Sequence, residues 1–355
     1  AAVTTEFNDT IPGTNVRRDL RRDDLIVITG AGGFIAGSLT RYFADQGYTR
    51  IRAIDRKPLP DWYLRVAGVE SISMDLSHEE NAIAAVRGAT EVYNLAADMG
   101  GMGFIEHFRV ECLRSVLVNT HLAEAAWRAG ARRYFFSSSA CAYNTDLQKS
   151  PGAIALKESD AYPALAERGY GWEKLFSEMV CQEYTAERGL ETHIARLHNI
   201  YGPNGTWFGG REKVPAAICR KVLEAQDSGD LRIQIWGDGT QTRSFCYIDD
   251  CIRGIDLIMH TPGLIATPVN LGSSELVSIN ELVSIVEEIA GVRLERTYDL
   301  DAPRGVAGRN SDNAFIQQVL GWEPNTALRT GMAATFAWIR EQYALRKAGR
   351  RVVEG

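Results

Sequence analysis

Leu25-Ile-Val-Ile-Thr-Gly30-Ala-Gly-Gly33-Phe-Ile-Ala36 is the stretch on which the fold turns. A short β-branched run reads as a buried strand, the glycines directly after it mark a tight turn, and FIAGSLTRYFADQG continues with helical periodicity. Glycines at such a junction let backbone N–H groups approach a pyrophosphate at the positive end of the helix. The spacing is GxxGxxA on Gly30, Gly33 and Ala36, a variant of the GxGxxG fingerprint. The next strand, IRAI, ends at Asp55. A carboxylate there accepts hydrogen bonds from both ribose hydroxyls and repels a 2′-phosphate, which predicts NAD rather than NADP. Arg56 and Lys57 follow directly and soften that rejection. Asp75-Leu76, after a third strand, suits either an adenine-edge contact or a helix N-cap.

Outward from that motif the rhythm persists. The runs SISM, ENAIAAVRG and EVYNLA come next. A helix around Ser115 to Ala129, the strand RRYFFSS, a second long helix from near Tyr170 to Gly189, and the strand THIARL complete the series. Alternation of this kind predicts an α/β fold, a Rossmann-type parallel sheet flanked by helices. Tyr201 to Glu212, crowded with glycine, proline and aromatic residues, cannot be a regular element, and the chain leaves the sheet there. The expected organisation is a polar lead-in over residues 1–24 and an NAD-binding domain over 25–197 and roughly 232–262. A smaller α/β substrate-binding lobe takes 198–231 and 263–355.

Composition narrows the class further. The hydrophobic share of 45% is enough for a sizeable core. A net charge of −6 with scattered cations argues against a nucleic-acid partner. No apolar run is long enough to cross a bilayer, and Ala1 to Asp24 lacks the pattern of a secretory signal. The six cysteines form neither a CxxC pair nor a zinc spacing, so no metal is expected and the cytoplasm is the default compartment.

Tyr170-Gly-Trp-Glu-Lys174 places a phenol and an ammonium four residues apart on one helix face. A cation beside a phenol favours the phenolate, a base able to take a proton from a sugar hydroxyl. Ser137-Ser138-Ser139 closes a strand upstream. Glycine loop, serine strand end and YxxxK together resemble the extended short-chain dehydrogenase/reductases, and Arg196-Leu-His-Asn199-Ile-Tyr201-Gly-Pro203 looks like their entry to the second domain. The resemblance implies that Ser139, Tyr170 and Lys174 form the hydride-transfer group.

Narrower stretches are similar to one branch of that family, the GDP-mannose 3,5-epimerases. These are Asn94 to Ile105, Ser139-Ala-Cys141, Gly209-Gly-Arg-Glu-Lys213, Trp236 to Ser244, and Gly308 to Asn313. Oxidation at C4 of a hexose leaves a ketone that acidifies the hydrogens on C3 and C5, and inversion then needs a base and an acid on opposite faces. Read alone, Cys141 is a small buried apolar residue or an acid/base, and Lys213 an acid/base or a phosphate contact. In the resembling enzymes the cysteine and lysine hold the acid/base roles.

The likeness implies a cofactor site of Gly30, Gly33, Phe34, Ile35, Asp55, Asp75, Leu76, Ala96, Tyr170 and Lys174. The substrate site it implies is Gly100, Met102, Gly103, Asn199, Glu212, Lys213, Gln241, Arg243 and Arg309. It further implies GDP-mannose or a related nucleotide sugar as partner, GDP-L-galactose and GDP-L-gulose as products, and a homodimer. Ala307 stands where the resembling enzymes carry an additional arginine, leaving Arg304 as a partial substitute. The generic triad also fits a nucleotide-sugar 4-epimerase or 4,6-dehydratase. A non-catalytic NAD sensor would tend to lose the tyrosine or lysine, and both are present.

Overall fold

The computed structural model describes residues 9–353. The opening stretch becomes β1 (Ile26–Thr29), fully buried, and α1 (Phe34–Asp45). Then follow β2 (Ile51–Asp55), β3 (Glu70–Ser73), α2 (Glu79–Val86), β4 (Glu91–Asn94), α3 (Met102–His107), α4 (Arg109–Arg128), β5 (Arg133–Ser139), α5 (Tyr170–Arg188) and β6 (Glu191–Leu197). The chain continues through β7 (Ile200–Tyr201), α6 (Val214–Ser228), β8 (Arg232–Trp236), β9 (Thr242–Ser244), β10 (Cys246–Tyr247) and α7 (Ile248–Met259). It closes with β11 (Pro268–Leu271), β12 (Leu276–Ser278), α8 (Ile279–Ala290), β13 (Glu295–Asp299), β14 (Gly308–Arg309), α9 (Ala314–Leu320) and α10 (Leu328–Lys347).

Seven strands form one parallel sheet in the order β11-β6-β5-β4-β1-β2-β3, the doubly wound order extended by one strand. Period-2 alternation sends Ile26 and Ile28 to a core shared with α1 and α7, and Val27 to a second core under α2, α4 and α5. Gly189, with φ of 72°, ends α5 as the sequence predicts. Helix α4 begins at Arg109, ahead of Ser115, because Val110 and Leu113 face outward and stand outside the core periodicity. A third core joins α6, α8 and α10 over β8.

Two strands depart from the expected domain boundaries. β8 pairs with β13 in the smaller lobe, outside the large sheet, while β11 enters the large sheet beside β6. Burial patterns give the reason: RIQIW alternates, covered on one face, whereas PVNL is buried almost continuously, as an inserted parallel strand must be. The expected lead-in also differs over residues 9–24, residues 1–8 lying outside the described region. Ile11, Arg18 and Leu20 are buried there, and Arg18 reaches Asp256 on α7 at 2.6 Å. No helix among the described residues is long and apolar enough to cross a membrane, and no group of three or more His, Cys, Asp or Glu is arranged to hold a metal ion.

Candidate active site

The carboxyl ends of the parallel strands and the smaller lobe enclose a cavity of about 630 Å³. Every residue expected in the cofactor and substrate sites lines it. At one end Gly30 takes φ of 75°, and a Cβ there would stand 2.7 Å from the Leu95 carbonyl oxygen, so the turn admits only glycine. Helix α1 starts beyond it with no side-chain cap, leaving first-turn N–H groups toward the cavity. The Asp55 carboxylate accepts from Gly32 N–H at 3.1 Å and Lys57 N–H at 2.9 Å, which fixes it at the mouth of β2. Asp75 is no helix cap: Oδ1 accepts from the backbone N–H of Ser77 at 2.9 Å and its hydroxyl at 2.7 Å. A cradle of glycine, open helix end and fixed carboxylate suits a dinucleotide. Those groups would hold pyrophosphate and ribose, the cofactor supplying a hydride acceptor and donor when bound.

Ser139 ends β5 and accepts the Cys141 N–H at 3.1 Å, turning the chain so that Cys141 faces the cavity. Tyr170 opens α5 over that turn. Gly171 makes the approach possible, since any Cβ there would run into the Cys141 carbonyl oxygen. The Lys174 ammonium lies 5.4 Å from the Tyr170 ring centroid and donates to the Ser137 carbonyl at 2.8 Å. Burial raises Tyr170 well above an ordinary phenol, Cys141 and Glu173 add to this, and Ser139 pulls the other way. Burial likewise lowers Lys174, which Glu173 opposes. Burial thus opposes the phenolate that the Tyr170–Lys174 spacing favours, and the ammonium is engaged by the Ser137 carbonyl. Asn119, one turn into the core, donates to Glu173 and to Ser177 at 3.0 Å, tying α4 to the catalytic helix.

Lys213 caps the N-terminus of α6 in the other lobe, and its ammonium has no hydrogen-bond or ion-pair partner among the described residues. Burial pushes it down, against the pull of Cys141, while burial pushes the Cys141 thiol up to about 11. Gly101 pins the two sides together, donating to the Arg211 carbonyl at 2.9 Å, where any Cβ would strike the Glu212 carbonyl. Glu212 accepts from Gly210 N–H at 2.7 Å and from Arg220 at 3.2 Å.

Further along the cavity the Gln241 amide donates to the Trp236 carbonyl at 2.8 Å, and its own oxygen is buried with no partner among the described residues. Arg243 is buried and, among the described residues, has carbonyl partners only, on Thr242 and Arg304, and no carboxylate. Burial and the neighbouring Arg309 lower it to about 10, a cation that an anion would satisfy. Arg309 is otherwise committed, to Gln148 at 2.7 Å, Glu167 at 2.5 Å and the Cys141 sulfur at 3.6 Å. Met102 approaches Gly305, Gly103 approaches Trp236, and Asn199, at φ of 46°, donates to the Ser244 carbonyl at 3.2 Å. Sequence reasoning missed Glu167, Gln148, and the Arg56 and Arg211 pairs with Asp98. Glu167 and Gln148 sit in no motif, and although Arg56, Asp98 and Arg211 lie in or beside the quoted stretches, only folding pairs them across the chain.

Comparison with known proteins agrees with this geometry. An Arabidopsis thaliana GDP-mannose 3,5-epimerase is 41% identical, covering 96% of this chain and 90% of the relative. A GDP-mannose 3,5-epimerase 1 of Oryza sativa subsp. japonica is 40% identical over 95% and 89% of the two chains. The solved UDP-glucose 4-epimerase of Thermotoga maritima superposes with a TM-score of 0.80 at 22% identity, covering 90% of this chain and 99% of that one, a likeness of fold. The NAD dependent epimerase/dehydratase family matches residues 26–272. Because that match runs from the first strand of the parallel sheet to its last, the chain belongs to the NAD-dependent epimerase/dehydratase family, and its cofactor is NAD.

Proposed function

We propose that this protein epimerises GDP-mannose at C3 and C5, through a 4-keto sugar, to GDP-L-galactose, with GDP-L-gulose formed when C5 alone inverts. One observation carries the reading: a thiol, Cys141, and an amine, Lys213, reach one cavity from opposing lobes beside Ser139, Tyr170 and Lys174. Tyr170 exchanges the proton of the C4 hydroxyl, with Ser139 and Lys174 holding that oxygen and phenol in register. With the ketone formed, Cys141 and Lys213 face hydrogens on the two neighbouring carbons. Burial keeps Cys141 a thiol and eases the loss of a proton from Lys213, so the neutral amine can receive a proton on one face while the thiol gives one on the other. Arg243, lacking a carboxylate partner, takes the diphosphate.

Three further readings accompany this. The parallel sheet holds the NAD, and the lobe built on β8, β9 and α6 holds the nucleotide sugar. The chain forms a homodimer through α4 and α5, whose Val110, Leu113, Leu117, Trp172, Phe176 and Met179 repeat at three- and four-residue spacing and are exposed together. Six unpaired, buried cysteines support a cytoplasmic location. Purified protein given GDP-mannose in heavy water, followed by proton NMR, tests the function: deuterium enters C3 and C5. Turnover of UDP-sugars with no exchange into GDP-mannose points to a 4-epimerase or dehydratase.

A further inference from the structure

Glu167 lies outside every motif of the sequence, three residues before Tyr170, yet it is built into the Cys141 turn. Its N–H donates to the Cys141 carbonyl at 3.1 Å, and its own carbonyl accepts from Trp172 in the first turn of α5. One carboxylate oxygen takes Arg309 Nη2 at 2.5 Å; the other, Oε2, is buried with no hydrogen-bond partner among the described residues. Arg309 extends the arrangement, with Nε fixed by Gln148 and Nη1 laid against the Cys141 sulfur at 3.6 Å. Thiol, guanidinium and carboxylate thus form a closed group of three, each nine-tenths buried or more.

We propose that Glu167 is a positioning residue for Cys141: its carboxylate aims the Arg309 guanidinium at the sulfur and balances that positive charge, so that Cys141 rests as a thiol. This rests on the epimerase reading for the purpose of Cys141, though not for the contact itself. A bare guanidinium beside a buried sulfur would stabilise the thiolate, and a bare carboxylate would oppose it. With both present the sulfur can lose and regain a proton within one turnover. The remaining groups around it are Ser139 on β5, Tyr170 and Lys174 on α5, Cys112 on α4, Lys213 at the start of α6 and Arg243 on β9. Glu167 is the carboxylate among them that joins Arg309. The directions agree: burial and Glu167 raise the thiol, whereas Arg309 and Ser139 lower it.

The test is the pH dependence of iodoacetamide alkylation, read cysteine by cysteine by mass spectrometry on the NAD-loaded protein without sugar. Cys141 lines the cavity, so a small reagent reaches it while the fold is intact. Glu167→Gln leaves Arg309 unbalanced, and the Cys141 midpoint falls by about one to two pH units. Arg309→Gln moves it the opposite way, and Glu167→Asp, which keeps the charge, stays near the parent. An unchanged midpoint in Glu167→Gln overturns the proposal. If that variant unfolds, Cys181 and Cys246 alkylate as well and reveal it, and an unchanged midpoint in Arg309→Gln then overturns it instead. Solvent-deuterium exchange into GDP-mannose by the parent protein is measured alongside. Loss of that exchange with the midpoint shifts intact rejects the epimerase reading alone.

Discussion

At Cys141 and Lys213 the chain places two proton carriers whose affinities burial moves in opposite senses, the thiol up to about 11 and the ammonium down. Replacing either with alanine abolishes deuterium entry at C3 and C5, while NAD, held by the Gly30 turn and Asp55, stays bound; fluorescence titration of the cofactor checks the second half. Tyr170→Phe acts earlier, stopping both exchange and any transient reduction of the cofactor, followed by absorbance. Arg243→Gln removes a charge-assisted contact and raises KM for a nucleotide diphosphate sugar about 10- to 100-fold with little change in kcat, measured by steady-state kinetics. Much of this was legible in the sequence, because glycine turns and YxxxK obey fixed spacings. Arg309 was legible as a cavity residue but not as the partner of Glu167 and Gln148. Those lie 142 and 161 positions away in the chain and are brought together only by β14.

Among the elements, β1, α1 and α5 declared themselves through periodicity and end signals, down to Gly189. β8 and β11 did not, since which sheet a strand joins is set by what covers its faces, a tertiary property. The docking of residues 9–24 was equally hidden. Arg18 looked like part of a polar segment, but it sits beneath α7 against Asp256, with Glu91 and His260 close by. Breaking a buried pair from one side costs about 3–5 kcal/mol, so Arg18→Met lowers the chemical-denaturation midpoint markedly, whereas Arg21→Met, an exposed neighbour, leaves it unchanged. Burial alone would lower His260, but Glu91 and Asp256 overcome this and raise it to about 10. Its contribution to stability is whole below about pH 6.5 and fades as the pH climbs through 10. Asp256, held near 2 against burial by His260 and Arg18, contributes above about pH 4 and loses that as acid approaches pH 2. Thermal melts from pH 6 to 10.5 show a decline that His260→Gln flattens.

Over the whole molecule, two lobes close on one cavity, and α4 and α5 leave an apolar stripe facing away from both. Light scattering is expected to give about twice the chain mass of 39.2 kDa, falling to one chain in Phe176→Glu, which puts a charge in the middle of the stripe. Arg211, on the loop before α6, pairs with Asp98 beyond β4 at 3.7 Å and joins the lobe to the sheet, while Arg56 holds the same carboxylate from the sheet side. In the proposed reaction, that contact helps keep an oxidised sugar in place between the removal of hydride and its return. The most direct measurement is therefore proton NMR of GDP-mannose incubated in heavy water with the NAD-loaded protein. The C3 and C5 proton signals are expected to be lost, with no exchange at C4, and none at either carbon in Cys141→Ala. Turnover without deuterium at C5, or exchange that persists undiminished in that variant, contradicts the epimerase reading.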